Sequence, residues 1–325
     1  MIESAGMPNG IAGKCNCEER LVHSMRIIAT GLRFPEGPIA QEDGSVLLVE
    51  IERQTLSRVR NDGLVEVVAK MQGAPNGAAI GPDGLVYICN NGGMAWVQVG
   101  ATLRPHGVPA DYKGGWIDTV DLKTGRVARL YDRCGEYFLN GPNDIVFDAK
   151  GGFWFTDHGK RRDRDMDRGF VYWARADGSE IRQVIGPLIT PNGIALSPDG
   201  GTLYVAETDT GRIWAYEISG LGQIRPRPWP SPSGGRIVVG LPGYSRFDSI
   251  AVSASGNICA ATIEGCSIAE ISPLTGLVRH HMVPDMFTTN ICFGGPDMRT
   301  AYVTMSHTGQ LAAMDWNEPG LKLTH

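Results

Sequence analysis

The sequence predicts an all-β protein that folds as a six-bladed β-propeller with four antiparallel strands in each blade. Three observations support this fold class. A stretch like PNGIALSPDGGTLYVAE occurs six times. Each copy has the signature of a β-hairpin. The chain also combines 43 Gly and 20 Pro with almost no amphipathic helical periodicity, as expected for a protein with many turns.

The six copies define the blades. They begin 40 to 67 positions apart, a spacing that suggests an array of four-stranded units. Each copy has an apolar run, a turn that contains Gly with Asp or Asn, and a second β-rich run such as TLYVAE. Third and fourth alternating segments follow, for example TLSRVR and LVEVVAK after the first copy. The copies start at Pro35, Pro75, Pro142, Pro191, Phe247 and Thr289.

The N-terminal part of the chain is expected to close the ring. The last copy is followed by GQLAAMDW and by too little sequence for a complete blade, whereas SMRIIAT (24–30) precedes the first copy. We therefore predict that SMRIIAT is the strand that completes blade six. Residues 23–325 would then form a single propeller domain, and residues 1–22 an N-terminal extension outside the ring.

Composition excludes several classes of protein. With 30 Lys and Arg against 35 Asp and Glu, the net charge is −5 and no long basic run occurs, so a nucleic-acid partner is not expected. No apolar run is long enough to cross a membrane, and the polar N-terminus does not resemble a secretory leader, which predicts a soluble cytoplasmic protein. The seven Cys, including Cys15 and Cys17, form no CxxC units and are interpreted as reduced thiols.

The second residue of every copy carries a side-chain oxygen. Because the first strand of a propeller blade lines the central channel, six side chains at its start should point toward one place. An Asn or Asp that bonds its own backbone in a turn would explain the Asn copies, but not the Glu. Carboxylate and amide oxygens without Cys or His are typical ligands of Ca²⁺ or Mg²⁺ and predict a metal site. The six residues are Glu36, Asn76, Asn143, Asn192, Asp248 and Asn290.

Four segments closely resemble one known family. RFPEGPIA, GPNDIVFDAKGGFWFTD, TPNGIALSPDGGTLYVAET and FDSIAVSASGNICAAT are similar to motifs of the SMP-30/gluconolactonase/luciferin-regenerating-enzyme family, in the same order and between about Phe34 and Met305. The resemblance implies a six-bladed propeller with one divalent cation in its channel. Ca²⁺ is the expected ion, with Mg²⁺, Mn²⁺ and Zn²⁺ as alternatives.

The same resemblance assigns roles to residues. It implies that Asp248 is both a metal ligand and the catalytic residue. Ser249 departs from the Gly that often follows this Asp in the family, which leaves the ligand unchanged but alters the pocket wall. The implied metal ligands are Glu36, Asn143, Asn192 and Asp248.

The ends of the second strands should open at the same face as the ring. His158 follows one such end and is a candidate acid/base or substrate ligand, although a lone loop His is commonly a surface residue. The charged run KRRDRDMDRG that begins at Lys160 is interpreted as a solvated loop.

A long insertion follows the second strand of blade two. It runs from Asn91 to Trp116, contains several aromatic residues, and is expected either to cap the pocket and set the substrate range or to form an ordinary surface loop. The residues predicted to contact the substrate are Asn76, Asp144, Asn290 and Trp116.

The commonest chemistry of the family is hydrolysis of a cyclic ester, so we predict a metal-dependent lactonase with a small-molecule lactone as its substrate. The cation would polarise the carbonyl while Asp248 orients or deprotonates a water molecule. Three alternatives remain: a phosphotriesterase that uses the same ring, a metal-free strictosidine-synthase-like catalyst, and a non-enzymatic scaffold. The chain has no GxSxG, HExxH or Walker A motif, which argues against serine, zinc-protease and nucleotide chemistry.

Overall fold

The computed structural model describes residues 19–100 and 102–324, and every regular element in them is a β-strand. Two short strands, β1 (Glu19–Val22) and β2 (Met25–Ala29), come before the first blade. Blade one contains β3 (Pro35–Ala40), β4 (Val46–Glu50), β5 (Thr55–Val59) and β6 (Val65–Lys70). Blade two contains β7 (Pro75–Ile80), β8 (Val86–Asn90), β11 (Trp116–Val120) and β12 (Val127–Tyr131), and its insertion holds β9 (Trp96–Val99) and β10 (Thr102–Pro105).

The remaining blades follow the same plan. A small hairpin, β13 (Arg133–Cys134) and β14 (Tyr137–Phe138), comes before blade three. Blade three contains β15 (Pro142–Phe147), β16 (Gly152–Asp157), β17 (Gly169–Arg175) and β18 (Ile181–Leu188). Blade four contains β19 (Pro191–Leu196), β20 (Thr202–Glu207), β21 (Arg212–Gly220), the short β22 (Gln223–Arg225) and β23 (Arg236–Gly240).

Blades five and six complete the ring. Blade five contains β24 (Arg246–Val252), β25 (Ile258–Ile263), β26 (Ser267–Ile271) and β27 (Val278–Met282). Blade six contains β28 (Thr288–Gly294), β29 (Thr300–Met305) and β30 (Gln310–Asp315). Within each blade, consecutive strands pair antiparallel, and the first strands of neighbouring blades contact each other all the way round, from β3 and β7 to β28 and β3. The predicted six-bladed propeller is therefore confirmed.

The hydrophobic core lies between the blades. Each of six clusters of buried side chains draws on two neighbouring blades, as where Trp154 and Trp173 of blade three pack with Trp214 of blade four. Because strands present alternate side chains to opposite faces, a central strand such as β16 is buried on both sides and is apolar along most of its length. The blades thus hold one another, and the channel residues are placed by this packing.

The N-terminal strand closes blade six as predicted. Strand β2 pairs antiparallel with β30, from Met25 opposite Met314 to Ala29 opposite Leu311. It lies at the outer edge of the blade, in the strand order β2, β30, β29, β28. The two ends of the propeller are therefore joined by main-chain hydrogen bonds.

Part of the predicted extension also takes part in the sheet. Strand β1 pairs parallel with β27 and adds a fifth strand to the edge of blade five, with Glu19 in an ion pair with Arg279 at 2.9 Å. The next residue, His23, has its Nε2 atom 2.7 Å from Nδ1 of His281, whose Nε2 lies 2.9 Å from a carboxylate oxygen of Glu270. Residues 1–18, with Cys15 and Cys17, lie outside the described residues. Residues 19–29 thus link the outer edges of blades five and six.

The described Cys residues, at positions 89, 134, 259, 266 and 292, are all free thiols, as the scattered spacing predicts. In the described part of the chain, no helix is long and apolar enough to span a membrane.

Candidate active site

A β-bulge begins each of the six first strands. In every blade, the pairing register between the first and second strand shifts at the leading residue, for example between Glu36 and Ile39 and between Pro191 and Ile194. A bulge bends the strand and re-aims its side chains. The bulge is thus the local device that turns the leading side chain of each blade away from the regular ladder.

The backbones of the first strands approach so closely that only glycine fits between them. A Cβ atom on Gly77 would lie 2.4 Å from the carbonyl oxygen of Asn143, and a Cβ atom on Gly193 would lie 2.6 Å from that of Asp248. Both distances are shorter than any allowed contact, so the PNG motifs carry their Gly for close packing. This packing draws the leading residues of adjacent blades together.

All six leading residues are buried, with between 2% and 7% of their surface exposed. The Glu36 carboxylate accepts hydrogen bonds from the Gly37 backbone N–H at 2.8 Å and from the Asn290 amide at 2.7 Å. Those bonds only partly offset burial, and the pKa of Glu36 is raised above its usual range because the charged form is desolvated. Glu36 and Asn290 therefore join the two ends of the ring.

Three buried carboxylates, Glu36, Asp144 and Asp248, lie close enough for their charges to interact. Burial and the charge of Glu36 together raise the pKa of Asp248 well above its usual value, and the amide of Asn192 opposes the rise. The same two causes raise the pKa of Asp144 to about 7, although Asp144 accepts hydrogen bonds from the backbone N–H groups of Ile145 and Ile194. Buried carboxylates that repel one another need a positive partner or a proton to be stable.

Two amide oxygens in the ring have no hydrogen-bond partner. They are Oδ1 of Asn143 and Oδ1 of Asn192, and both are fully buried. The Asn192 amide nitrogen donates to the Thr208 hydroxyl at 3.1 Å, which turns its oxygen the other way. An unpaired buried oxygen is costly and calls for a ligand. The two orphaned oxygens belong to two of the four predicted metal ligands, and with the carboxylates of Glu36 and Asp248 they would make up an all-oxygen donor set.

That donor set has the chemistry of a hard-cation site. Among the residues that the structure describes, no group of three or more His, Cys, Asp or Glu side chains is arranged to hold a metal ion. The predicted ligands do not form such a group, because half of them are amides. Carboxylate and amide oxygens without nitrogen or sulfur ligands suit Ca²⁺ better than Zn²⁺.

His158 lies next to the ring. In blade four Pro191 pairs with Glu207, and the residue after Glu207 is Thr208, which contacts Asn192. In blade three Pro142 pairs with Asp157, so His158 has the same relation to Asn143 that Thr208 has to Asn192. Its Nδ1 atom is 3.3 Å from the Gly159 carbonyl oxygen, and burial lowers its pKa.

Other predicted site residues fall into two groups. Asn76, Asn290 and Asp144 lie on first strands, with the metal ligands. Trp116 instead begins β11, the third strand of blade two, where its indole N–H donates to Asp118 at 2.6 Å and the Arg129 guanidinium covers its ring at 3.9 Å. The structure does not bring Trp116 to the ring, and its substrate contact stays a prediction.

Lys160 corrects the interpretation of the charged run as a solvated loop. The residue is 6% exposed, and its amine donates hydrogen bonds to Asn91 Oδ1 and, at 2.8 Å, to the Gly93 carbonyl. Alternating charges in the sequence gave no signal for this burial, because the acceptors are supplied by a different blade. Residues 161–165 and Arg168 of the run are exposed as expected, whereas Met166 and Asp167 are half-buried and Gly169 is buried.

Sequence reasoning located a second set of polar residues, at the ends of the second strands, but missed that four of them are buried and bind backbone N–H groups. Each accepts backbone N–H hydrogen bonds from the segment that enters its own blade: Glu50 from Arg33, Asn90 from Ala74, Asp157 from Asn140 and Gly141, and Glu207 from Ile189. The recurrence of Glu, Asn or Asp at this place in successive copies was the available signal. These hydrogen bonds hold the segment that precedes the first strand in blades one to four.

Comparison with known proteins places this architecture among relatives. Residues 34–307 match the model of the SMP-30/gluconolactonase/LRE-like region. A gluconolactonase of Zymomonas mobilis is 26% identical over 87% of this chain and 79% of its own length. A lactonase of Staphylococcus saprophyticus is 28% identical over 73% of this chain, and the match spans 65% of that lactonase, slightly under two thirds.

A solved structure has the same fold. The calcium-binding protein regucalcin of Agrobacterium tumefaciens superposes with a TM-score of 0.72 at 18% sequence identity, over 94% of this chain and 99% of the other. The family match covers most of the described residues and contains all six leading positions. The chain therefore belongs to the SMP-30/gluconolactonase/LRE-like family.

Proposed function

We propose that the protein is a divalent-cation-dependent lactonase that hydrolyses a small-molecule cyclic ester at the leading-residue ring. The observation that carries the proposal is the pair of orphaned buried oxygens of Asn143 and Asn192, which lie in the same ring as the carboxylates of Glu36 and Asp248. The names of the Zymomonas and Staphylococcus relatives support a lactone as the substrate class.

Glu36, Asn143, Asn192 and Asp248 would hold the cation, which we propose to be Ca²⁺ because all four donors are oxygens. A bound divalent cation supplies electrophilic stabilisation of the oxyanion that develops on an ester carbonyl. The close packing of the first strands at Gly77 and Gly193 keeps the donors fixed, so little reorganisation is needed during the reaction.

Asp248 would act as the general base. Its carboxylate takes a proton from the attacking water while the water oxygen bonds to the lactone carbonyl carbon, and the ring C–O bond then breaks to give a hydroxy acid. Asn76, Asp144 and Asn290 would orient the substrate by hydrogen bonds. His158, in the position next to Asn143, would contact the substrate or donate the proton that the leaving alkoxide needs.

We further propose that the protein works in the cytoplasm, in keeping with the free thiols of its described Cys residues.

A panel of lactones assayed by pH-stat, with and without chelator, tests the proposal. We expect turnover of at least one lactone, its loss with EDTA, and its recovery with added Ca²⁺. Paraoxon-type phosphotriesters are assayed in parallel. Hydrolysis of these compounds without hydrolysis of any lactone would show that the protein is a phosphotriesterase. Lactone turnover that chelator leaves unchanged would refute the metal dependence.

A further inference from the structure

The insertion of blade two contacts blades one and six at the face where the first strands begin. We call its residues 91–100 and 102–115 the strap. Trp96 of the strap packs on Phe34, the residue before β3, with ring centroids 5.1 Å apart. Thr102 Oγ1 lies 3.4 Å from Nε2 of His307, which follows the second strand of blade six. The strap therefore starts on blade two and reaches blades one and six.

One amine of blade three contacts the strap near both of its ends. Lys160 Nζ donates to Asn91 Oδ1 and to the Gly93 carbonyl oxygen, and it lies 4.7 Å from the ring centroid of Tyr112. The Tyr112 hydroxyl in turn donates to the Asn140 carbonyl. A single side chain thus contacts both the start and the end of the strap.

Every partner of the Lys160 amine belongs to the strap. In the described chain, no carboxylate lies within ion-pair distance of this amine, and burial lowers its pKa to about 7 against the opposing effect of Asp157 and Asp167. Burying an amine among neutral acceptors is costly, and here the cost is offset only while the strap is docked. The amine and the docked strap therefore stabilise each other.

The first strap residue lies beside the ring. Pro75 pairs with Asn90, so Asn91 has the same relation to Asn76 that Thr208 has to Asn192. Lys160 therefore sets the position of a side chain that adjoins the channel, as well as the position of the aromatic groups farther along the strap.

We propose that Lys160 is a positioning residue that holds the strap over the channel mouth and thereby determines affinity for bulky lactones. The part of the proposal that concerns substrates rests on the proposed lactonase function. Lys160 acts through the strap and does not take part in the hydrolytic step.

The test compares Lys160→Met, which removes the amine and keeps an apolar stem, with Lys150→Met on the exposed hairpin between β15 and β16. Trypsin cleaves after Arg104 and Lys113 within the strap, so mass spectrometry of brief digests reports strap docking without any substrate. We expect strap cleavage to accelerate about tenfold or more in Lys160→Met, the effect of losing one to two hydrogen bonds, and to stay unchanged in Lys150→Met.

The kinetic arm uses a small lactone and an aryl-substituted one. In Lys160→Met we expect KM for the aryl lactone to rise about tenfold, with kcat for both lactones and KM for the small one within about twofold of wild type. A merely structural role would instead lower kcat for both in proportion to the folded fraction. If the methionine variant does not fold, Lys160→Gln takes its place.

Unchanged strap cleavage overturns the positioning role, and faster cleavage without a change in KM overturns the link to affinity. If the wild-type protein hydrolyses no lactone, the proposed function fails on its own. Strap cleavage in the variant then still decides whether Lys160 is a positioning residue.

Discussion

Blade one contains two buried glutamates on paired strands, and their surroundings differ sharply. Glu50, at the end of β4, accepts hydrogen bonds from the Arg33 backbone N–H at 2.9 Å, from Arg53 at 2.8 Å and from the Ser57 hydroxyl at 2.8 Å. Glu36, at the start of β3, accepts hydrogen bonds from the Gly37 backbone N–H and from neutral side chains, and its charge raises the pKa of Asp144 and of Asp248. Glu50 is thus paired with a cationic side chain, whereas Glu36 has neutral donors and two carboxylates that repel it.

A similar contrast separates two sets of buried polar residues. At the ends of the second strands of blades one to four, the side chains accept hydrogen bonds from backbone N–H groups, so they are used to build the fold. At the starts of the first strands, Glu36 and Asp248 repel each other and the amide oxygens of Asn143 and Asn192 are unpaired, so these four side chains are available to a ligand. Burial alone therefore does not identify the functional residues, whereas burial beside like charges and unpaired oxygens does.

The largest expected effect belongs to the ring. Asp248→Asn keeps the shape of the side chain and removes the proposed base, so we expect kcat to fall by about 10²-fold or more, with unfolding transitions at least as high as wild type. Stopped-assay kinetics measure kcat, and circular dichroism measures the unfolding transition. Glu50→Gln is the matched control, and turnover in Asp248→Asn equal to that of the control would place the base elsewhere, with His158 next.

The substitution of Glu50, in contrast, should lower stability and leave catalysis nearly unchanged. Glu50→Gln loses a charge-assisted bond to Arg53 and weakens the bonds from Arg33 and Ser57, so we expect the free energy of unfolding to fall by about 2–4 kcal/mol. Urea unfolding gives this value, and kcat of the folded protein should stay near wild type. Glu36→Gln serves as the comparison, because removing a repelling charge should cost little. Equal destabilisation by the two variants would contradict the division into two sets.

Cation binding should also separate the two glutamates. At a Ca²⁺ concentration a hundred times its dissociation constant, binding to the native state adds about 2.7 kcal/mol to the stability, which raises Tm. Calorimetric scans with EDTA and with Ca²⁺ should show this rise in the wild type and in Glu50→Gln, and a much smaller one in Glu36→Gln. A rise that survives in Glu36→Gln would move the cation away from the ring.

The smallest effect concerns the histidine pair that joins β1 to blade five. Burial and the neighbouring His281 lower the pKa of His23 below 6.5, so the unfolded chain binds this proton more readily than the folded one. This contribution to stability is present above pH 6.5 and is lost as the pH falls through the folded pKa. The groups that face the pair are Glu270, which accepts from His281, and Trp316, which stacks on it.

His23→Gln should therefore flatten the loss of stability between pH 7 and pH 5, whereas His106→Gln, on the exposed part of the strap, should not change it. Urea midpoints measured across this range compare the two variants. Identical slopes in His23→Gln and in the wild type would show that His23 does not contribute to the pH dependence of stability.

Much of this architecture could be predicted from sequence because it repeats. Six hairpins with similar turns define the blades, and the leading oxygen-bearing residues follow from one alignment of the chain with itself. The fifth strand of blade five could not be predicted, because ERLV (19–22) is short and mostly exposed and pairs with residues far along the chain. The place of Glu36 at the start of its copy distinguishes it from Glu50 in sequence, but the different hydrogen-bond donors of the two carboxylates are visible only in the structure.

Lys160 shows a second limit of prediction from sequence. Its sequence surroundings, KRRDRD, indicate a solvated segment, and the five residues that follow it are exposed. The carbonyl groups that bury it come from an insertion of blade two, whose path over the mouth depends on loop geometry. Patterns within one segment carry no information about such partners.

The closing strand also governs when the protein can be completed during its synthesis. Strand β2 is synthesised before the first strand of blade one, whereas its partner β30 is synthesised after the other two strands of blade six. Until Gln310–Asp315 emerges, Ile27 and Ile28 belong to an edge without a neighbour, which is open to pairing with other chains. Termination of synthesis shortly before Gln310 would therefore release a chain with five assembled blades in which β2 and β29 lack their partner β30. Such truncated chains should aggregate through these unpaired strands.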